Sequence, residues 1–157
     1  MAKATGDVFD RVAAQEIQPN RYYLKSKENN TLGTHVLKIL QLTYDADKPR
    51  IGEFAAGDFE IVKSTNDTLT PGKSVSWFEK PNAYRSYFDG DMKRLAAVAL
   101  GKNAAEITGA DIRAAFSEEN AAAGNFIVAD VVIDGKGYKK VILKTLAEVG
   151  LTEKEFA

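Results

Sequence analysis

From Asn20 onward the chain is written in strand-like blocks, and the hydrophobic spacing turns helical only in its middle. Residues 21–27 and 34–44 read as strands rich in Tyr, Val, Ile, Leu and Thr, separated by the turn-forming stretch 28–33. A further turn is expected at 45–50, then strands at 58–63 and 73–80 on either side of a polar stretch at 64–72. Near residue 89 the period changes. Met92, Leu95, Ala96, Ala99 and Leu100 form an apolar stripe at helical spacing, with Asp89 or Asp91 as the expected cap and Gly101 as the stop. Thr108, three residues before Asp111, opens a second helix through Ala115 or beyond, ending around Gly124. Two strands follow, 125–133 and 138–144, around Asp134-Gly-Lys-Gly137, the clearest hairpin turn in the sequence. Ahead of all this, residues 7–14 suit a short helix with Val8, Arg11, Val12 and Gln15 on one face, broken at Pro19.

Strands, a helical insert and a closing hairpin define a mainly β protein with a helical insert. That order is the one found in a five-stranded oligonucleotide/oligosaccharide-binding barrel, which carries its helix between strands three and four. An open β-sandwich with a helical insertion is the structural alternative. The expected organisation is a lead at 1–19, a barrel domain at 20–146 with its insert at about 89–123, and a tail or short helix at 147–157. No repeat or low-complexity segment interrupts it.

Composition narrows the class. The 157 residues are 45% hydrophobic and 27% charged, as in an ordinary globular domain. Without cysteine there is no disulfide, no thiolate-bound zinc and no cysteine nucleophile, and a cytoplasmic setting is the simplest expectation. The opening residues lack the apolar run of a signal peptide, and no run reaches the ~20 apolar residues of a membrane helix. The balance of 21 basic against 22 acidic residues, net −1, excludes a uniformly basic surface but leaves room for a local basic groove.

Catalytic signatures fail on inspection. Pro71-Gly-Lys-Ser74 resembles the end of a phosphate-binding loop, but Asp67 stands where a second glycine is required, and a strand follows in place of a helix. His35, the single histidine, has no nucleophile or orienting group within a local motif and reads as a packing or rim residue. Asp89 and Asp91 read as helix caps; as metal ligands they would make a magnesium-dependent nuclease, the third-ranked reading. Asp58, Glu60 and Lys63 lack nuclease spacing. The expectation is a protein without enzymatic activity, cofactor or metal.

Residues suited to nucleic acid are better organised. Alternation along 20–27 places Arg21, Tyr23, Lys25 and Lys27 on one face. Residues 136–144 hold four lysines and no acid, with Tyr138, Lys140, Ile142 and Lys144 alternating on one face and Lys139 between them. Between these segments, residues 77–88 carry Trp77, Phe78, Tyr84, Arg85, Tyr87 and Phe88. Trp77 and Phe78 must face opposite ways, so one of them belongs to a core. Negative charge is concentrated in the insert, where residues 103–125 hold four acids against Arg113. Cations that follow phosphates, together with rings that stack unpaired bases, are what a single-strand binder needs. The same residues also suit a solvated strand face, on which lysine discourages edge pairing.

The order and texture of residues 20–146 resemble the phage-encoded single-stranded-DNA-binding proteins of the replication and recombination module. The resemblance rests on the opening strand pair from Arg21 to Ile39, on a segment like 77–88 leading into a helix that ends Ala-Leu-Gly101, and on Gly124-Asn-Phe-Ile-Val-Ala-Asp-Val-Val followed by Tyr138-Lys-Lys-Val-Ile. It implies a non-enzymatic protein that coats single-stranded DNA without sequence preference, serves replication or recombination proteins as partners, and works in the host cytoplasm away from membranes. Homo-oligomers are left open. The site then comprises Arg21, Lys25, Lys27, Arg85, Lys139 and Lys140 for phosphates, and Tyr23, Trp77, Tyr84 and Tyr138 for bases. Family members often end in an acidic tail with a terminal aromatic. Here Leu-Thr-Glu-Lys-Glu-Phe156-Ala157 is a poor acidic tail, and a docked terminal helix is expected. The alternative reading is a viral structural protein whose β surface assembles with its own copies, its rings serving as interface anchors.

Overall fold

The computed structural model describes residues 2–16, 24–26, 30–81, 85–137 and 139–156, with side chains from residue 8 onward. In chain order the elements are α1 (Ala2–Ala14), β1 (Lys25–Ser26), β2 (Gly33–Lys48), β3 (Gly52–Ser64), β4 (Ser74–Glu79), α2 (Arg85–Leu100), α3 (Gly109–Phe116), β5 (Phe126–Ile133) and β6 (Lys139–Lys144), followed by two 3₁₀ turns at Ala147–Val149 and Glu153–Glu155. The six strands form one antiparallel sheet in the order β1-β4-β3-β2-β5-β6, curled into a half-barrel. The mainly β class is therefore observed, with six described strands where five were expected, and with α2 and α3 between β4 and β5.

β2 is the spine, pairing with β3 on one side and β5 on the other. A bulge lets it serve a single core along its length. Ile39 pairs with Phe59 and Gln41 with Asp58, which leaves Leu40 without a partner on β3 and shifts the alternation by one residue. Leu37 and Ile39 before the bulge and Leu42 after it consequently all bury against the helices. The strand also runs on to Lys48, past the start of the turn expected at 45–50. Lys48 pairs with Gly52, and the reversal occurs at 49–51 with Arg50 in the left-handed region at φ 72°.

The helices cover one face of the sheet. Phe59, Ile61, Val75 and Trp77 from β3 and β4, with Ile127 and Ala129 from β5, meet Met92 and Leu95 of α2, Ile112 and Phe116 of α3, and Phe9 and Val12 of α1. Each large apolar side chain so enclosed contributes about 1.5–3 kcal/mol relative to exposure. α1 is thus built into the core, through Phe9 and Val12, and is not a separate lead. The capping box on α3 forms as the spacing predicts, with Thr108 accepting from Asp111 N–H at 3.2 Å and Asp111 accepting from Thr108 N–H at 3.1 Å. The 134–137 hairpin is also present, closed by Gly137 N–H donating to the Asp134 carbonyl at 3.0 Å.

Two expectations need correction. α2 begins at Arg85, so Asp89 and Asp91 are not caps: both lie buried inside the helix, Asp89 accepting from Arg11 Nε at 2.8 Å. The C-terminal segment is neither one helix nor a loose tail. Leu146, Leu151 and Phe156 pack onto Val36 and Val128 on the face opposite the helices, with the Phe156 and Phe126 rings 5.9 Å apart.

Candidate nucleic-acid interface

Strand register arranges the helix-free face into rows. Lys25 of β1 pairs with Ser76 of β4, Ser76 with Asp58 of β3, and Asp58 with Gln41 of β2. These four side chains cross the sheet in one line and, with Leu40 and Ser74, line an open groove of about 650 Å³. None of the four has a side-chain hydrogen bond or ion pair among the described residues. Leu40, displaced by the bulge, is 43% exposed at the groove's far end.

One row along, Phe78 of β4 pairs with Ala56 of β3 and leaves its ring 45% exposed. Phe54, two residues before Ala56, stacks on Phe78 with centroids 5.3 Å apart and planes 20° apart. Lys48 Nζ stands over the other ring of the pair, 5.7 Å from the Phe54 centroid, a cation–π contact. The face therefore presents an aromatic platform beside a polar groove, with Lys25 at the edge strand and Lys48 at the hairpin end.

The expected site residues separate into three groups. Lys25 is exposed on this face, and Lys140 shares the face at the opposite edge, where it pairs with Val132. Lys139 pairs with Ile133 and so alternates to the other side of β6. Trp77 is corrected: at 1% exposure its ring belongs to the core, edge-on to Phe116 with centroids 6.4 Å apart, and it offers no surface to a base. Arg85 is corrected in part, because its guanidinium is already committed. It donates to both carboxylate oxygens of Glu53, NH1 to Oε1 at 2.8 Å and NH2 to Oε2, and Tyr44 Oη donates to the same group at 2.5 Å. Burial works to raise the Glu53 pKa, but the Arg85 and Tyr44 hydrogen bonds outweigh it and hold the carboxyl below its ordinary range. Burial and then the Glu53 bond push the Tyr44 phenol up. This cluster ties α2 to the β2–β3 hairpin and reads as structural. Arg21, Tyr23, Lys27, Tyr84 and Tyr138 lie outside the described residues.

Sequence reasoning missed Phe78, Lys48, Asp58, Gln41 and Ser76 as surface groups, and Phe54 as the buried ring on which Phe78 stacks. For Phe78 the signal existed in the Trp77–Phe78 parity, but not its direction. Among the described residues no cluster of three or more His, Asp or Glu could hold a metal ion, and no described helix is long and apolar enough to cross a membrane. Comparison with protein-family models, curated proteins and solved structures finds no match to the chain.

Proposed function

We propose that this protein binds single-stranded DNA, without catalysis, along the helix-free face of its sheet, in the service of phage replication or recombination in the host cytoplasm. The observation that carries the reading is the half-exposed Phe78 ring, stacked on Phe54 beside a groove crossed by the unpartnered side chains of Ser76, Asp58 and Gln41, with Lys25 at its rim. Bases stacking on aromatic rings, with cations along the phosphate path, is the physics of single-strand binding.

The strand plan supports an oligonucleotide-binding barrel. Counted from β2, five strands remain, the helices fall between the third and fourth, and the first pairs with both the second and the fourth. The two-residue β1 is then an addition at the edge, and it brings Lys25 to the groove. Self-assembly through strand edges finds less support, because edge strand β6 carries three lysines in six residues, a composition that opposes strand addition.

The test is a fluorescence-polarisation titration of labelled single strands and the matching duplex at low and moderate salt. Salt-sensitive binding to the single strand alone, weakened by Phe78→Ala, supports the reading. No binding to single strands at micromolar protein and low salt overturns it.

A further inference from the structure

The row Lys25–Ser76–Asp58–Gln41 places a carboxylate in the middle of the groove, where it would repel a phosphate. A strand lying here must keep its phosphates toward the rim, where Lys25 stands, and turn its bases inward. Inside the groove, Asp58 only accepts hydrogen bonds when ionised, whereas Lys25 only donates and Gln41 does either.

Unpaired bases expose their Watson–Crick edges, and these edges differ. Guanine presents two adjacent N–H donors, N1–H and the 2-amino group, next to the O6 acceptor. The two donors match the two oxygens of one carboxylate, and O6 matches an amide or ammonium donor beside it. Thymine offers one N–H between two carbonyls, which face a carboxylate unfavourably. Cytosine and adenine each bring one amino group beside a ring acceptor. Neighbouring rows on a strand face lie about 7 Å apart, so a base on Phe78 and its neighbour in the groove belong to one run of chain.

We infer that this groove is a guanine-selective subsite, with Asp58 accepting from N1–H and the 2-amino group and Lys25 or Gln41 donating to O6. The inference rests on the single-strand reading and departs from binding indifferent to sequence. Asp58, Gln41 and Lys25 are exposed and hold no partner that must be broken first.

The experiment compares a short oligo-dT with the same strand carrying one central dG, and a third carrying inosine there, against the full-length wild-type protein and Asp58→Asn. The dG strand is expected to bind wild type about ten-fold more tightly than oligo-dT, with inosine, which lacks the 2-amino group, in between. Asp58→Asn is expected to lose the dG preference and, with the repelling charge gone, to bind oligo-dT at least as tightly as wild type; matching thermal melts establish that it is folded. Tight and equal binding of all three strands by wild type overturns the guanine subsite and leaves single-strand binding standing. A dG preference that persists in Asp58→Asn overturns the assignment to Asp58. Failure of every strand to bind overturns both readings together.

Discussion

Phe78 lies against Phe54 across neighbouring strands with ring planes 20° apart, covering the buried Phe54 ring while itself facing solvent on the side of the sheet that the helices leave uncovered. Diagonal cross-strand rings of this kind stabilise a sheet modestly, and nearly half of Phe78 remains exposed in the free protein. A stacked base would cover that surface. Phe78→Ala is therefore expected to weaken single-strand binding by about 1–3 kcal/mol, leaving the salt dependence unchanged and the fold nearly as stable. Titrations at four salt concentrations check this; a change in slope would mean that the ring acts through charge placement.

Lys25 should behave in the opposite way. Neutralising it removes one phosphate contact, so Lys25→Ala is expected to lower the slope of log K against log salt by about 0.7. Lys139, which alternates away from this face, serves as the control, and its alanine variant should leave the slope where it was.

Trp77 and Phe78 are adjacent, yet their truncations should be read by different instruments. Trp77 is enclosed against Phe116, so Trp77→Ala is expected to cost about 3–5 kcal/mol of stability by loss of packing and an incompletely collapsed cavity. Urea denaturation followed by far-ultraviolet circular dichroism would show it. The indole emission of the wild-type protein should accordingly report unfolding strongly and oligonucleotide binding weakly.

That pair also shows where sequence reading stops. Alternation required one of the two rings to be inside, but choosing which one depends on the pairing of Trp77 with Gly57 and of Phe78 with Ala56, partners about twenty positions away. Signals completed within a few residues were legible: the Thr108–Asp111 box, the 134–137 turn, and the apolar stripe of α2. Asp89 has the local signature of a cap, and only Arg11, 78 positions distant, reveals it as a buried ion-pair partner. Arg85 looked available for phosphate for the same reason, its claimant Glu53 lying on β3. The groove row was invisible, since Lys25, Ser76, Asp58 and Gln41 come together only through three strand registers.

α1 rests on α3 at a glycine. A Cβ on Gly109 would fall 2.0 Å from Asp10 Oδ1 and 3.0 Å from the Asp10 backbone nitrogen. The carboxylate could swing aside, but the backbone could not, so Gly109→Ala should push the two helices apart and cost about 1–3 kcal/mol by overpacking. The double variant with Asp10→Ala separates the two contributions. Thermal melts should show the destabilisation largely retained there, because the backbone contact survives; full recovery would locate the clash in the side chain alone.

His35 gives the protein a pH dependence that can be isolated, because it is the single histidine in the chain. Its ring is fully buried, with Nε2 2.7 Å from the Thr31 carbonyl and Nδ1 2.7 Å from Ser64 Oγ. A carbonyl only accepts, so Nε2 carries the proton in the neutral ring. Ser64, whose oxygen accepts from Asn66 N–H at 2.9 Å, donates to Nδ1. Burial lowers the pKa below 6.5, and the Thr31 carbonyl and the Asp130 charge offset this only in part. The unfolded chain therefore binds the proton first as pH falls, and stability must rise with pH across the window between the folded pKa and 6.5. The contribution is complete above 6.5, is lost progressively on acidification, and levels off below the folded value. Urea midpoints between pH 7.5 and 5 should decline on the acid side in wild type. The same series in His35→Gln, a less stable variant, should be flat over that window, and an equal decline there would assign the pH dependence to carboxylates instead.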